Sequence, residues 1–150
     1  MIKIYIVWDS FKHFESAIKE YEKRLWKQIS IIKVKPSKKW TTAQIIEKDT
    51  ENINKLLNKE KNSYNILLSL NGKELDSLEL AKLIKSKINH WININFIIWW
   101  AFWLKEENLK NIHFKLKLWK ITLPHALALL VLIEQIYRSF QINQNKNYHY

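Results

Sequence analysis

The sequence predicts an α/β domain built on a largely parallel sheet. Short β-branched runs alternate with longer amphipathic segments, which is the pattern of consecutive β-α-β units. No internal repeat or linker interrupts this alternation, and 150 residues suit a single domain spanning residues 1–150. The fractions of hydrophobic residues (47%) and charged residues (26%) are ordinary for a globular domain and exclude a disordered chain.

The first half of the chain predicts two strands and two helices. Residues 1–8 are rich in isoleucine and valine, which favours a short strand. Ser10 is placed to cap a helix over residues 10–25, whose apolar side chains recur at helical spacing. Residues 29–35 form a second β-branched run, which Pro36 closes. Residues 41–58 begin with Thr-Thr-Ala-Gln, which predicts a helix that starts with a capping box.

The second half predicts three more strands and a long final helix. The strands are the apolar runs at residues 65–70, 92–98 and 113–118. Asn-Gly-Lys at residues 71–73 indicates a turn. Helical spacing predicts helices over residues 77–89 and 105–112. The last helix runs from residue 124 to about 142, and its first half is apolar nearly all round, which implies burial on more than one side.

This fold class locates a ligand site before any motif is considered. Open parallel sheets bind ligands beyond the carboxyl ends of their strands. The site is therefore expected in the segments that follow Trp8, Leu70, Ile98 and Leu118.

Composition narrows the classes of function. A formal charge of +11 favours polyanionic partners, although only two of the 25 basic residues are arginine, and a lysine excess beside many isoleucines and asparagines also follows from nucleotide composition. The absence of cysteine excludes disulfides and cysteine-ligated zinc. His13, His90 and His113 have no ligand-like spacing, so no metal site is predicted. No apolar run approaches the roughly 20 residues of a membrane span, and no signal peptide is recognised, so a cytoplasmic location is expected.

Glycine and tryptophan have unusual frequencies. The chain has one glycine and eight tryptophans, which are Trp8, Trp26, Trp40, Trp91, Trp99, Trp100, Trp103 and Trp119. Each tryptophan lies at or beyond the end of a predicted helix or strand, where a left-handed backbone or a close approach to a ligand calls for glycine. If all eight tryptophans were glycine, the glycine content of the chain would be close to the average of about 7%.

We therefore hypothesise that all eight positions are glycine in the organism. Some bacterial lineages read UGA as glycine, and translating UGA as tryptophan would produce this pattern; UGG codons at these positions would refute the hypothesis. The alternative is an aromatic surface that stacks on bases. Such a surface needs its rings on one face, whereas Trp26 and Trp91 follow helices away from the predicted site, so the glycine interpretation is favoured.

Four ordered segments carry a family resemblance once glycine is placed at the tryptophan positions. Residues 96–104 become Phe-Ile-Ile-Gly-Gly-Ala-Phe-Gly-Leu, and residues 118–125 become Leu-Gly-Lys-Ile-Thr-Leu-Pro-His. Residues 131–138 read Val-Leu-Ile-Glu-Gln-Ile-Tyr-Arg, and residues 147–150 read Asn-Tyr-His-Tyr. The set resembles the RlmH family, small SPOUT-class methyltransferases that act on a pseudouridine of 23S ribosomal RNA, and the length matches end to end.

The resemblance implies the fold, the reaction and the partners. The fold would be a SPOUT-type α/β knot: a mostly parallel sheet with helices on both faces and a C-terminal deep trefoil knot. The protein would be a homodimer that uses S-adenosylmethionine to methylate N3 of a pseudouridine in ribosomal RNA or the ribosome. The alternative class is a basic α/β RNA-binding protein that has lost its cofactor. A Rossmann-type nucleotide-binding domain lacks support, since no G-x-G-x-x-G follows the first strand even with glycine at the tryptophan positions.

The resemblance also assigns a cofactor pocket. Its residues would be Leu68, Trp99 (as glycine), Leu118, Trp119, Lys120, Ile121, Thr122 and Leu123. A glycine at position 99 would let the main chain pass close to the cofactor, the leucines would supply apolar walls, and backbone groups of 118–123 would contact the polar edge of adenine. An indole at position 99 would project into this volume, so we expect the sequence as printed to bind the cofactor poorly or not at all.

Three further residues carry implied catalytic roles. Glu134 and Arg138 are four residues apart on the last helix and can pair; taken alone, they would be an ordinary surface ion pair. The resemblance places both near the target nucleotide, and it places His149 in the active site of the partner subunit. His125 is expected to be structural. Leu129 and Tyr150 stand where the family has basic residues, which weakens the expected contacts with RNA or the second subunit.

Overall fold

The computed structural model describes residues 1–7, 12–38, 41–99 and 104–148. In chain order, the strands and α-helices are β1 (Ile2–Val7), α1 (Glu15–Arg24), β2 (Ile29–Val34), α2 (Thr42–Lys59), β3 (Ser63–Glu74), α3 (Ser77–Asn89), β4 (Asn93–Ile98), β5 (Phe114–Lys117) and α4 (His125–Asn143). The strands form one sheet in the order β2-β1-β4-β3-β5, and every neighbouring pair is parallel. The predicted parallel α/β fold is confirmed.

The helices cover both faces of the sheet. On one face, Ile4 and Phe96 of the central strands belong to a core cluster that includes side chains of α1, α3 and α4. On the other face, Val7 and Ile97 pack with Ile53 of α2 in a second, smaller cluster. Strands buried on both faces explain why the apolar runs of β1 and β4 do not alternate with polar residues.

The last helix has the extensive burial that its sequence predicts. Its buried residues include Ala126, Leu129, Leu132 and Ile136, because α4 packs on α1, on α3 and on the sheet. Leu129, at a position where the resemblance implies a basic residue, is 1% exposed and belongs to the core of its own chain. The capping box of α2 is also confirmed, with the Thr41 hydroxyl accepting from the Gln44 N–H.

Three predictions of local structure are wrong. Helix α1 begins at Glu15, after Phe14 and without a side-chain cap, whereas Ser10 lies outside the described residues. Residues 71–73 do not form a turn, because β3 continues through them and pairs again with β5 after a register shift. Residues 105–112 contain only the 3-10 turn Glu106–Asn108. There, Leu109 and Ile112 pack individually against the α2 cluster instead of forming one helical stripe.

Gly72 explains why an Asn-Gly pair occurs within a strand. A Cβ atom at this position would lie 2.7 Å from the backbone carbonyl of Lys115 and 2.8 Å from the carbonyl carbon of Leu116. Strands β3 and β5 therefore approach each other here only because residue 72 has no side chain. The glycine is required for close packing rather than for a turn.

Two further observations concern membranes and metals. Within the described ranges, none of the helices combines the length and apolar character that crossing a bilayer requires. The same residues contain no group of three side chains that could hold a metal ion.

Candidate functional site

A cavity of about 750 Å³ opens at the carboxyl ends of β4 and β5 and beside residues 67–71 in the middle of β3, where the pairing of β3 with β5 shifts register. Its walls come from this part of β3, from the end of β4, from the segment between β5 and α4, and from the first turn of α4. The site predicted beyond Ile98 and Leu118 is therefore found where the parallel-sheet rule places it, whereas β3 continues past Leu70. Trp8, the fourth predicted position, lies outside the described residues.

Most of the predicted cofactor residues meet in this cavity. The lining includes Leu68, Trp99, Leu118, Trp119, Ile121, Thr122 and Leu123. Lys120 belongs to the same segment but does not line the cavity. The segment carries no regular structure between β5 and α4, so its backbone N–H and C=O groups are not used by a helix or a sheet ladder.

Sequence reasoning missed a polar group on the cavity wall. The Glu106 carboxylate accepts a hydrogen bond of 2.7 Å from the Ser69 hydroxyl and lies 2.9 Å from the Lys115 ammonium group. Ser69 and Glu106 both line the cavity. No local signal could have found this pair, because the two residues are 37 positions apart and Glu106 was assigned to a helix.

The indole of Trp99 is buried in the cavity wall. Only 7% of the residue is exposed, and it packs in the α2 cluster with Leu57 and Leu67. Its Nε1–H is buried and has no hydrogen-bond partner among the described residues. An unsatisfied buried donor costs about 1–3 kcal/mol, so the site does not accommodate this side chain fully.

Trp91 occupies a backbone position that favours glycine. It directly follows the C-cap of α3 and has φ of 58°. Its N–H donates to the Ile88 carbonyl and the Ile92 N–H donates to the Lys87 carbonyl, both at 3.0 Å. These two bonds define a Schellman motif, in which the left-handed residue is usually glycine. Yet Trp91 is 88% exposed, so its indole gains little from packing.

The other tryptophans are less informative. Trp26 and Trp119 are exposed, and neither is among the described residues with positive φ. All four tryptophans in the described ranges lie outside helices and strands, as predicted. Trp8, Trp40, Trp100 and Trp103 lie outside the described residues.

The predicted pair of Glu134 and Arg138 is formed. The Glu134 Oε1 atom accepts from Nε of Arg138 at 3.0 Å and from Nη2 at 2.7 Å. Both side chains are about one-fifth exposed. The hydrogen bond from Arg138 to Glu134 raises the pKa of the guanidinium above its ordinary value, so Arg138 stays charged.

This pair does not lie at the cavity of its own chain. Helix α4 starts at the cavity with His125, and a rise of 1.5 Å per residue places Glu134 and Arg138 roughly 13 and 20 Å further along the helix axis. Arg138 instead reaches the C-terminal residues, donating from Nη1 to the Tyr148 carbonyl at 3.3 Å. His149 lies outside the described residues.

Comparisons with known proteins agree with the resemblance seen in the sequence. A family model described as "Predicted SPOUT methyltransferase" matches residues 1–149. The chain is 39% identical over 142 residues to the ribosomal RNA large subunit methyltransferase H of Fusobacterium nucleatum, covering 92% of this chain and 91% of the relative. It is 38% identical over 146 residues to the protein of the same name from Clostridium botulinum, with the same coverage. It is 37% identical over 147 residues to the putative one of Methanococcus vannielii, again with the same coverage.

Proposed function

Because the chain belongs to the SPOUT methyltransferase family, we propose that it transfers a methyl group from S-adenosylmethionine to N3 of a pseudouridine in large-subunit ribosomal RNA. The relatives reported above are named as methyltransferases of this RNA, and they align with this chain over nearly its whole length. The observation that carries the proposal is the cavity at the carboxyl ends of β4 and β5, beside residues 67–71 of β3. It is lined by the segments that the resemblance assigns to the cofactor.

The cavity has the properties that S-adenosylmethionine requires. Its volume lies within the range of small-molecule sites, and Leu68, Leu118 and Leu123 offer apolar walls to an adenine ring. Backbone groups of the irregular segment 118–123 would hold the polar edge of the base. When bound, the cofactor supplies an electrophilic methyl group. The Trp99 indole packs in the α2 cluster, and its buried Nε1–H has no acceptor among the described residues. On this ground we propose that the working protein has glycine at position 99.

We further propose that the active site is shared between two copies of the chain. Glu134 and Arg138 lie along α4, away from the cavity of their own subunit, so a second copy is needed to bring them near a methyl donor. The C-terminal residues, including His149, would reach the partner's cavity. The proposal includes a deep trefoil knot, which the resemblance implies, and a cytoplasmic location.

The chain's own residues would act mainly by positioning. Holding two reactants in line gains about 7–11 kcal/mol over separated reactants. Arg138 would hold a phosphate or a base carbonyl of the RNA, and Glu134 would fix the orientation of Arg138. The imide N3 of pseudouridine carries a proton that must leave for the nitrogen to react. His149 would order the base or accept that proton.

Calorimetry with S-adenosylmethionine tests the cofactor assignment. The chain with glycine at all eight tryptophan positions should bind, whereas the chain as printed should bind weakly or not at all. If the eight-glycine protein is folded and still does not bind, the non-catalytic RNA-binding alternative is correct. Methylation at near-native rates in His149→Ala and Glu134→Ala variants of the eight-glycine chain would remove both catalytic assignments.

The RNA interface would include the basic segment at the end of β2. Lys33, Lys35 and Lys38 are exposed there, and Lys39 lies outside the described residues. If these lysines contact phosphates, RNA affinity should fall steeply with added salt, and replacing them with alanine should reduce that slope. An affinity that does not change with salt would contradict this role.

A further inference from the structure

One stretch of β3 leaves its ladder with β5 beside the cavity. Leu68 and Lys73 both pair with Leu116 of β5, so residues 69–72 have no partner of their own in that ladder. Ser69 belongs to this stretch, is buried and lines the cavity. The register shift therefore places a buried hydroxyl group on the cavity wall.

The Ser69 hydroxyl holds a carboxylate at the same wall. It accepts from the Asn71 N–H at 3.1 Å and donates to the Oε1 atom of Glu106 at 2.7 Å. The Oε2 atom of Glu106 lies 2.9 Å from the Lys115 ammonium group. Groups from β3 and β5 thus fix a carboxylate that belongs to the 3-10 turn after β4.

The charge of Glu106 is balanced, but its acceptor capacity is not used up. A carboxylate offers about four acceptor sites, and among the described residues one hydrogen bond and one ion pair occupy it. Of the described residues that line the cavity, Glu106 alone carries a carboxylate. Because Lys115 already supplies a positive charge, the remaining acceptor sites suit a neutral O–H donor better than a second cation.

We propose that Glu106 accepts a hydrogen bond from the ribose of the cofactor and that Ser69 is the positioning residue that orients it. This inference rests on the proposed function. S-adenosylmethionine has cationic sulfonium and ammonium groups, and its neutral donors are the adenine amine and the two ribose hydroxyls. The proposed function assigns the polar edge of adenine to backbone groups of residues 118–123. The ribose hydroxyls are therefore the neutral donors left for Glu106.

Calorimetry on the eight-glycine chain tests this contact. The probe is S-adenosylhomocysteine, which has the same adenine and ribose but no reactive methyl group. Glu106→Gln keeps the side-chain shape and exchanges a charged acceptor for a neutral one, so the affinity should fall about 5- to 12-fold. The matched control is Glu107→Gln, which makes the same change at an exposed neighbour that does not line the cavity. It should leave the affinity unchanged.

A second probe separates a ribose contact from general damage to the cavity. Glu106→Gln and Ser69→Ala should each weaken binding of S-adenosylhomocysteine but not of its 2′,3′-dideoxy analogue, which already lacks the hydroxyls. Equal losses for both probes would indicate damage to the cavity, and unchanged affinity for both would indicate no contact; either result overturns the inference and leaves the proposed function intact. If the eight-glycine chain binds neither S-adenosylmethionine nor S-adenosylhomocysteine, the proposed function and this inference are both refuted.

Discussion

Replacing Trp91 with glycine should stabilise the protein. Trp91 has φ of 58°, and a left-handed conformation costs a residue with a Cβ atom roughly 1–2 kcal/mol. Glycine avoids that cost but has greater backbone freedom in the unfolded chain, which removes about 0.4–1 kcal/mol of the gain. The indole is 88% exposed, so little packing is lost. The expected net gain is about 1 kcal/mol, which raises Tm by about 2–4 °C for a domain of this size.

The matched control is Trp26→Gly. Trp26 is also highly exposed and also follows a helix, but it is not among the described residues with positive φ. Glycine there relieves no left-handed strain and increases the freedom of the unfolded chain, which destabilises by about 0.4–1 kcal/mol. It also removes the cation–π contact of the Lys27 ammonium group, 4.8 Å from the indole ring centre, so the total loss should be at least this large. Trp91→Asn should recover part of the gain, because Asn62, Asn111 and Asn145 adopt the same conformation in this chain.

Urea unfolding followed by circular dichroism measures these effects. Tryptophan fluorescence is unsuitable because each variant removes a fluorophore. Protein concentration must be equal across variants, since the proposed association of two copies would add to apparent stability. A Trp91→Gly protein that is no more stable than Trp26→Gly would refute the argument that position 91 favours glycine.

Three further changes should destabilise the protein or alter its response to pH. Gly72→Ala places a Cβ atom 2.7 Å from the Lys115 carbonyl and should lower the free energy of unfolding by about 1–3 kcal/mol in urea titrations. Thr41→Ala removes the cap of α2 and should lower it by about 1 kcal/mol, whereas Thr41→Ser should not. Hydrogen bonds from the Lys3 ammonium group at 2.8 Å lower the pKa of Glu60 below its ordinary value of 4.5. This stabilisation is therefore present above pH 4.5 and is lost as the pH falls through the lower folded value, so Glu60→Gln should show a shallower loss of stability in acid.

Much of the fold could be predicted because the sequence patterns are local. The bounds of α3 and the capping box of α2 follow from neighbouring residues, and both are confirmed. The extension of β3 through Gly72 could not be predicted, since it depends on the backbone of β5, which lies more than 40 residues later. Strand order and register depend on similar distant contacts. An Asn-Gly pair indicates a turn until its surroundings are known.

The candidate site was predictable in its location but not in its detail. The rule for parallel sheets places it at the carboxyl ends of the strands, and the cavity is found there. The hydrogen bond from Ser69 to Glu106 joins two segments that are distant in the sequence, and no sequence periodicity indicates that they meet. The distance between Glu134 and the cavity also depends on the direction in which α4 leaves the sheet. These features depend on tertiary packing alone.

The different environments of the tryptophans favour one common cause. Trp91 lies in a strained backbone position, and the buried Nε1–H of Trp99 has no acceptor in the part of the chain that the structure describes. Trp26 and Trp119 are exposed, and neither is among the described residues with positive φ. Selection for tryptophan at individual sites would avoid the first two positions and would not favour the high exposure of the last two. A single change in how the UGA codon is read would turn every glycine that UGA encodes into tryptophan, whatever its surroundings. Gly72 would remain glycine only if a different codon encodes it. The gene should therefore carry UGA at all eight tryptophan positions and another glycine codon at position 72. A UGG codon at position 91 or 99 would show that the organism itself places an indole there.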